Sequence, residues 1–387
     1  MEKKKNKMKI AVSILIGIAI IISSFFIFII FSLSAIREML WVLLAINTIS
    51  LIAFLVLWNI LSSKKVFLLL LVQVPCIIIG IVFLQYHFYV QSIPAADEED
   101  IYLWSYMPYK DDNRLAKLNE ESKLKIKDNL PVLDGATALY PVYASFAQAV
   151  YPEENYDFSK SSVLCSRTNG AYENLFEGKA DIIFCAEPSD SQFFISKDFN
   201  LKFVPIGREA FVFFVNKENP VSNLTIDDIK GIYSGKIKNW KKLNGLNKSI
   251  RVFQRPENSG SQTILKKTMG GVPLIKPRRE NVSRGMGSII NQVAVYRNFS
   301  NAIGYSFLYY TSAMARNDKI KFLSIEGIYP SRKTIQDNSY PFSDNFYAIY
   351  IDDENKNDNI ERFIEWILSN QGQFLISETG YIPIGRF

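Results

Sequence analysis

The first part of the chain alternates between long uncharged stretches and short charged ones. Charged side chains are absent from Ile10–Ile36, Met39–Ser63 and Val66–Ala96. Each segment contains an apolar run of about 20 residues or more, the length that a helix needs to cross roughly 30 Å of hydrocarbon. The pattern therefore predicts three transmembrane helices, at about residues 10–33, 39–61 and 66–90.

A cleaved signal peptide and a lipoprotein anchor are the alternatives for the first segment. Its apolar run is longer than that of a signal peptide, and no small-residue cleavage site precedes the second segment. A lipoprotein anchor requires a lipid-modified cysteine near the N-terminus, but the first cysteine of the chain, Cys76, lies inside the third predicted span. Three membrane spans remain the preferred interpretation.

The distribution of Lys and Arg orients these spans. The N-terminal tail, residues 1–9, carries five Lys and the second loop carries Lys64 and Lys65, whereas the first loop has Arg37 beside Glu38. Basic loops stay on the cytoplasmic side of a membrane. The sequence thus predicts a multi-pass cell-membrane protein with a cytoplasmic N-terminus and an extracellular C-terminal domain.

The net charge of the chain follows from the same asymmetry. The whole chain has a formal net charge of +6. Residues 1–96 contain seven Lys and one Arg against two Glu, which is also +6, so residues 97–387 are formally neutral. A broad basic face for nucleic acid is therefore not predicted, and we expect no nucleic-acid partner.

Scarce histidine and cysteine exclude several chemistries. His87 is the one histidine among 387 residues, and it lies in an aromatic cluster at the predicted end of the third span. A single histidine rules out most zinc sites and any Ser-His-Asp or Cys-His catalysis. Three cysteines without a CxxC motif rule out an iron–sulfur cluster. We expect no enzymatic activity, no metal and no cofactor.

Residues 91–128 form a polar linker, predicted to be extracellular, and beyond it short apolar runs alternate with amphipathic stretches. The predicted strands are Leu130–Leu133, Ser162–Cys165, Asp181–Cys185, Phe203–Ile206, Ala210–Val215 and Ile250–Phe253. The predicted helices are Pro141–Tyr151, Ala171–Glu177, Ile226–Ser234, Gln262–Met269, Ser288–Arg297 and Asn359–Glu378. Such alternation is typical of an α/β fold, and a length of about 260 residues favours two lobes. The aromatic patch Tyr102–Tyr106 of the linker either rests on lipid headgroups or packs on the domain.

Four loops that precede helices are rich in small and hydroxyl residues. They are Asp134–Thr137, Cys165–Gly170, Arg255–Ser261 and Ser283–Ser288. A helix N-terminus attracts anions through unpaired N–H groups and a positive dipole end, and loops after parallel strands gather at one edge of a sheet. Ordinary helix capping explains any one of these loops, but four of them together favour an anion site.

Several motifs extend this pattern into a family resemblance. Asp134–Tyr143 (DGATALYPVY), Arg255–Ser261 (RPENSGS) and Ala302–Tyr305 (AIGY) resemble the signatures of phosphate-binding proteins, the extracellular receptors of bacterial phosphate ABC importers. Leu224–Trp240 is similar to the family's second-lobe helix and loop, and Gln371–Pro383 to its C-terminal helix and tail. The matches occur in consistent order and cover the outer domain, but none of the predicted membrane part.

The resemblance implies a type II periplasmic-binding-protein fold, in which two α/β lobes close on a ligand. An anion-binding domain is then expected over residues 129–387. Its first lobe would comprise residues 129–207 and 325–387, and its second lobe residues 208–310. The two crossing strands are expected near Arg208–Val215 and Ile303–Leu308.

Two helix starts would hold phosphate according to this resemblance. Thr137 would offer its hydroxyl and N–H, and Ala138 an N–H from the same turn. Ser259, Gly260 and Ser261 would add hydroxyls and N–H groups at the start of another helix.

The resemblance assigns the cationic contact to Arg255, whose planar guanidinium would bind two phosphate oxygens. The alternative is a surface ion pair between Arg255 and Glu257. At the family's second anion loop this chain departs from the usual small residues. Arg167 there either adds a cation or points to solvent, and Thr168 is the expected hydroxyl.

A second departure concerns selectivity. The family has an aspartate after its third strand that accepts the proton of hydrogen phosphate and so repels fully ionised sulfate. Here Ala186 or Glu187 falls at that position, depending on the register. If Glu187 takes the role, its longer side chain must be drawn back. Asp134 is a nearby carboxylate that we expect to cap a turn.

Cys165 and Cys185 end neighbouring predicted strands in an oxidising compartment, where a disulfide is conceivable. In the implied fold the first strand lies between them, which places their Cα atoms beyond bridging distance. We predict free, buried thiols.

The sequence thus predicts a tethered receptor that captures inorganic phosphate, or a similar oxyanion, for an ABC permease. The alternative is a phosphate-sensing or regulatory membrane protein that acts through partner helices, since three spans exceed what an anchor requires. An enzyme such as a phosphatase ranks third, because no nucleophile–base pair, metal cluster or P-loop supports it.

Overall fold

The structure is a computed structural model that describes residues 103–277, 282, 289, 290, 293 and 301–384. The N-terminal tail, the three predicted membrane spans and the loop Ser283–Ser288 lie outside these residues. Among the described residues, none of the helices combines the length and the apolar composition of a membrane span.

The described residues form an α/β domain. Its strands are β1 (Leu133–Gly135), β2 (Ile182–Cys185), β3 (Leu201–Asn216), β4 (Asn223–Leu224), β5 (Arg251–Val252), β6 (Ala302–Phe307), β7 (Ile320–Phe322), β8 (Ser324–Ile325), β9 (Ser343–Ile351) and β10 (Ile382–Pro383). Its helices are α1 (Tyr140–Val150), α2 (Arg167–Phe176), α3 (Asp190–Ser196), α4 (Ile226–Tyr233), α5 (Gly260–Met269), α6 (Arg332–Gln336), α7 (Ile360–Leu368) and α8 (Asn370–Thr379). Short 3₁₀ turns cover Leu103–Tyr106, Thr137–Leu139 and Trp240–Leu243.

The long strand β3 belongs to both lobes. Residues Leu201–Ala210 pair with β9, and residues Phe211–Val215 pair with β6. The strand order is β1-β2-β9-β3-β6-β5, with β1 and β2 parallel and β5 and β6 parallel. Each half of β3 thus supports its own sheet, and the change of partner between Ala210 and Phe211 is the first crossing between lobes. The expected crossing near Arg208–Val215 agrees with this position.

The second crossing comes later in the chain than the sequence suggested. Strand β6 pairs with β3 inside the second lobe, with Phe213 opposite Tyr305. Ile335 and Tyr340 are still buried in the second lobe's core. The chain returns to the first sheet at Ser343, where β9 begins. The second lobe therefore extends to about residue 342 and not to 310, because these apolar side chains are buried on the second sheet.

Each lobe has its own apolar core. Phe146, Ile183 and Phe363 belong to the first core, and Phe213 and Leu265 to the second. Aromatic rings fill much of both cores; for example, the rings of Phe363 and Trp366 are stacked with centroids 6.2 Å apart. Two cores joined by crossing strands are the arrangement that allows a cleft between the lobes.

Some predicted elements differ in extent. Phe203–Ile206 and Ala210–Val215 merge into β3, which has a register shift between Pro205 and Gly207. The predicted helix Asn359–Glu378 is two helices, because Ser369 has an extended backbone with ψ 169°. The predicted strand Ser162–Cys165 is reduced to one bridge between Val163 and Leu133.

The linker packs on the first lobe. Tyr106, Leu115 and Ile126 are buried in the first core, and the ring of Trp104 contacts that of Phe158 edge to face, with centroids 5.2 Å apart. The described part of the aromatic patch therefore packs on the domain, which decides between the two alternatives left by the sequence.

Candidate functional site

The first anion loop is built around a buried carboxylate. Asp134 is fully buried at the end of β1 and accepts hydrogen bonds from the N–H groups of Gly135 and Ser166, both at 2.7 Å. Its other oxygen accepts from Asn174 Nδ2 at 2.7 Å. Asp134 therefore connects two loops, as the expected capping role requires. A Cβ on Gly135 would lie 2.6 Å from the carbonyl oxygen of Phe184, so only glycine fits at this turn.

Thr137 and Ala138 follow in a 3₁₀ turn that leads into α1. The N–H groups of a helix's first turn have no intrahelical acceptor and are available to a ligand. Thr137 is half-buried, and Ala138 is buried with its carbonyl oxygen accepting a hydrogen bond from the hydroxyl of Tyr381. This contact fixes the turn against the C-terminal tail.

The start of α2 separates Arg167 from Thr168. Arg167 is exposed and has a left-handed φ of 66°, whereas Thr168 is buried and lines the cleft. The arrangement favours Thr168, and not Arg167, as the side chain that this loop directs to the cleft.

The first turn of α5 is a part of the second lobe that faces the cleft. Ser259 is the N-cap and its hydroxyl accepts the N–H of Gln262 at 3.3 Å. The hydroxyl of Ser261 is buried and has no hydrogen-bond partner within the described residues. A buried unpaired hydroxyl is costly, and a bound anion at this helix start would satisfy it.

Gly260 lies where the two lobes approach each other closely. A Cβ at Gly260 would lie 3.0 Å from the hydroxyl oxygen of Thr168. The starts of α2 and α5 therefore meet across the cleft with space for little more than a glycine.

Arg255 is buried at the base of the same loop, with only 8% of its surface exposed. Its backbone N–H donates to Gln262 Oε1 at 3.0 Å and to the hydroxyl of Tyr305 at 2.8 Å. Glu257 is exposed and pairs with Lys266. These positions disfavour the alternative of a surface ion pair between Arg255 and Glu257.

Glu187 lies at the rim of the cleft. Its carboxylate is half exposed and pairs with Lys267 of the second lobe at 2.9 Å. Lys267 also lies 3.3 Å from Asp344 of the first lobe, and these contacts raise the pKa of Lys267. Ala186 is the other candidate for the position of the family's aspartate. Its carbonyl oxygen accepts a hydrogen bond from the hydroxyl of Tyr172 at 2.9 Å. Glu187 thus contacts the cleft and joins the lobes at the same time.

A second group of contacts crosses the rim. The side-chain oxygen of Asn258 accepts hydrogen bonds from Ser189 at 3.1 Å and from Ser191 at 2.7 Å. Together with the Lys267 pairs, these bonds hold the lobes in contact around a cleft of about 870 Å³. That volume is within the range of small-molecule sites and much larger than one oxyanion, so an anion would occupy only part of it.

Four of the eight predicted ligand residues line this cleft: Ala138, Thr168, Glu187 and Gly260. The other four are Thr137, Ser259, Ser261 and Arg255. The first three of these adjoin lining residues in the sequence, and Arg255 is the buried first residue of the loop Arg255–Ser261. The structure therefore brings the predicted segments to one place, with some of their side chains behind the lining surface.

Glu209 is a carboxylate of the cleft that the sequence analysis missed. Glu209 lines the cleft beside the first crossing, and it accepts the N–H groups of Ala210 at 2.8 Å and Tyr309 at 3.3 Å. Burial raises the pKa of Glu209 to about 8. Its position within an apolar strand offered no motif that would have revealed it.

Other residues of the site had weaker sequence signals. Lys267 and Asn258 contact the opposite lobe, and a local sequence pattern cannot predict such contacts. Gln262 follows Ser259 by three residues, the spacing of a capping box, and Tyr305 lies in the Ala302–Tyr305 motif. These two signals were available but did not indicate a role in the site.

The described cysteines are both free, as predicted. Strand β1 lies between Val163 and β2, so the segment that leads to Cys165 and the strand that ends in Cys185 are not neighbours. Cys185 is buried, whereas Cys165 is only partly buried. Burial of the sulfur raises the pKa of Cys165 to about 12.

Two lobes on a shared crossing strand, with helix starts from both lobes facing one cleft, define a type II periplasmic-binding-protein fold. The chain belongs to the PBP superfamily, whose domain matches residues 131–371.

Curated relatives and solved structures agree with this family. The chain is 25% identical over 257 residues to the phosphate-binding protein PstS of Staphylococcus aureus, covering 64% of this chain and 76% of that one. It is 31% identical over 173 residues to PstS of Bacillus subtilis, covering 44% and 53%. A Clostridium perfringens structure described as a phosphate ABC transporter substrate-binding protein with bound phosphate is 25% identical, with a TM-score of 0.53, and covers 67% of this chain and all of that one.

Proposed function

We propose that this chain is a membrane-tethered extracellular binding protein that captures inorganic phosphate, or a similar oxyanion, for an ABC importer. The observation that carries the proposal is the meeting of two helix N-termini, one from each lobe, at Thr168 and Gly260. Both helix starts present N–H groups, and the buried hydroxyl of Ser261 lies in the first turn of α5. An oxyanion is the ligand that such groups bind best.

Phosphate is the preferred anion because of the relatives. PstS proteins are named for phosphate binding, and the similar Clostridium perfringens structure contains phosphate. The proposed contacts are the N–H groups of Thr137 and Ala138, the hydroxyl of Thr168, the guanidinium of Arg255, and the Ser259–Ser261 turn. Glu187 or Ala186 would lie at the position where the family's aspartate accepts a hydrogen bond from hydrogen phosphate.

The proposed location rests on the sequence. The three uncharged segments of the first 96 residues and the basic residues beside them support a multi-pass membrane anchor with the binding domain outside the cell. An ABC permease in the same membrane would then be the partner. The names of the relatives, which are binding proteins, support a function without catalysis.

A sensor that acts through partner helices is the second candidate. The linker contact favours it, because buried Tyr106 belongs to the same core as Tyr381, and Tyr309 beside the crossing packs against that core. A change in closure between the lobes would reach the linker through these rings.

Calorimetric titration of the full-length chain tests the primary proposal, with phosphate, sulfate and a phosphate monoester as ligands. We expect saturable phosphate binding that is lost in Arg255→Ala. Arg332→Ala is the matched control, since Arg332 is exposed outside the cleft and bonds Ser377 at 2.8 Å. Binding of sulfate or a monoester alone would reject phosphate as the ligand, and absence of binding to all three would reject anion capture and leave a regulatory role through partner helices.

A further inference from the structure

Gln262 follows the loop Arg255–Ser261 directly and makes hydrogen bonds through both ends of its side-chain amide. It lies in the first turn of α5 and is 3% exposed. Its Oε1 accepts the backbone N–H of Arg255 at 3.0 Å and also the hydroxyl of Tyr305. Its Nε2 donates to Gln254 Oε1 at 3.2 Å. One amide therefore connects the first residue of the loop to the helix that ends it.

Tyr305 completes this arrangement from strand β6. Its hydroxyl accepts the N–H of Arg255 at 2.8 Å and donates to Gln262. The ring is fully buried and packs against Tyr233, with centroids 5.8 Å apart. Burial raises the pKa of Tyr305, so the hydroxyl keeps the proton that it donates.

The bonding of Gln262 differs from what its sequence position predicts. A glutamine three residues after a serine N-cap normally returns a hydrogen bond to the cap's own N–H. Gln192 does so for Ser189 at the start of α3. Gln262 instead directs its Oε1 to Arg255, and the N-cap Ser259 receives no such bond from it. The side chain of Gln262 therefore stabilises the loop through Arg255 and does not cap the helix.

We propose that Gln262 and Tyr305 are positioning residues of the anion site, an inference that rests on the proposed function. They fix the backbone of Arg255 to the second-lobe sheet and so hold the loop Arg255–Ser261 in its binding shape before the ligand arrives. A preformed loop binds more tightly because less ordering is required on association. Tyr305 does not line the cleft, and Gln262 lines it with only 3% of its surface exposed and its amide bonded to Arg255, Gln254 and Tyr305, so both act through the loop.

Two variants of the full-length chain measure this role with inorganic phosphate as the ligand. Gln262→Met keeps the side-chain volume but removes the acceptor and donor, and we expect phosphate affinity to fall about tenfold. Tyr305→Phe leaves Gln262 Oε1 to accept the Arg255 N–H, and we expect a loss of about threefold. Gln192→Met removes a buried glutamine of α3 and is the control for a purely structural loss.

Coupling to Arg255 distinguishes positioning from general destabilisation. In an Arg255→Lys background, Gln262→Met should weaken phosphate binding by much less than tenfold, because both changes affect the same contact. Full additivity of the two losses would overturn the proposal, as would wild-type affinity in Gln262→Met.

Hydrogen exchange at the Arg255 amide gives a readout that does not need a ligand. Without phosphate, both Gln262→Met and Tyr305→Phe should speed exchange of this amide, whereas Gln192→Met should not. Unchanged protection in both variants would overturn the positioning role. If the wild-type chain binds no phosphate, the proposed function fails, and this exchange measurement still decides whether Gln262 and Tyr305 hold the loop.

Discussion

The ammonium group of Lys267 lies 2.9 Å from the carboxylate of Glu187 and thereby joins the two lobes at the rim of the cleft. Lys267 belongs to α5 of the second lobe, and Glu187 follows β2 of the first. Asp344 of the first lobe adds a second carboxylate at 3.3 Å. The three side chains are each about half exposed, so they form a solvent-accessible ionic contact between lobes.

Loss of this contact should weaken ligand binding in a salt-dependent way. We expect Lys267→Met to lower phosphate affinity about two- to fivefold at low salt, since exposed ion pairs contribute at most about 1 kcal/mol. The difference should nearly vanish at about 1 M salt, where charges are screened within roughly 3 Å. Titration at two salt concentrations measures it.

Lys266→Met is the matched control for that experiment. Lys266 is the neighbouring lysine on α5 and pairs with Glu257 of its own lobe, so the change in net charge is the same. An equal loss of affinity in both variants would show that overall charge, and not the contact between lobes, is responsible.

Glu187→Gln separates the two roles of Glu187. If the carboxylate acts mainly by pairing with Lys267, this variant should resemble Lys267→Met and bind phosphate and sulfate in the wild-type ratio. We expect this result because Lys267 already contacts Glu187 Oε2. A fall in the preference for phosphate over sulfate, seen in Glu187→Gln but not in Lys267→Met, would assign the carboxylate to the ligand's proton.

Gly260→Ala should impair binding without harming the fold. The added Cβ would lie 3.0 Å from Thr168 Oγ1 and oppose the approach of the lobes, whereas alanine suits the first turn of a helix better than glycine. We expect phosphate affinity to fall about tenfold or more, with the melting temperature of the ligand-free chain unchanged or raised. A lower melting temperature with unchanged affinity would contradict this explanation.

Glu209 should make stability fall as pH rises. Burial raises its pKa from 4.5 to about 8, so between these values the folded chain holds a proton that the unfolded chain releases. The stabilisation is complete below pH 4.5 and is lost as pH rises through about 8.

Glu209→Gln removes this titration. The melting temperature of the wild type should decline more steeply than that of the variant between pH 5 and 9, by at least about 2–4 °C, which corresponds to roughly 1 kcal/mol in a domain of this size. Glu354→Gln, at an exposed position, should follow the wild type. Parallel curves for the wild type and Glu209→Gln would show that Glu209 titrates as in an unfolded chain.

The thiols of the described domain should resist alkylation in the folded state. Burial raises the pKa of Cys165 to about 12 and that of Cys185 well above its usual value, so little reactive thiolate exists at pH 8. In a Cys76→Ser background, mass spectrometry should detect iodoacetamide adducts on both residues only after denaturation. A dithiothreitol-sensitive crosslink between Cys165 and Cys185 is the opposing result.

Local chemistry made the anion loops predictable. Small residues and hydroxyls before an apolar helix, as at Asp134–Thr137 and Arg255–Ser261, indicate a helix start with free N–H groups whatever the rest of the fold. The capping role of Asp134 followed from the same reasoning. The return of the chain to the first lobe was not predictable in this way, since β6 is an apolar strand that suits either sheet.

The sequence alone determined the α/β class of the domain and the loops that begin its helices. Both follow from turn chemistry and hydrophobic periodicity, which are local properties. It also determined that the net positive charge arises from the first 96 residues. Only the tertiary structure decided the partner of Glu187, the burial of Arg255, the surroundings of Glu209 and the hydrogen bonds of Gln262. Those features depend on hydrogen bonds between residues 43 to 100 positions apart in the chain, and only the tertiary fold brings such groups within hydrogen-bond distance.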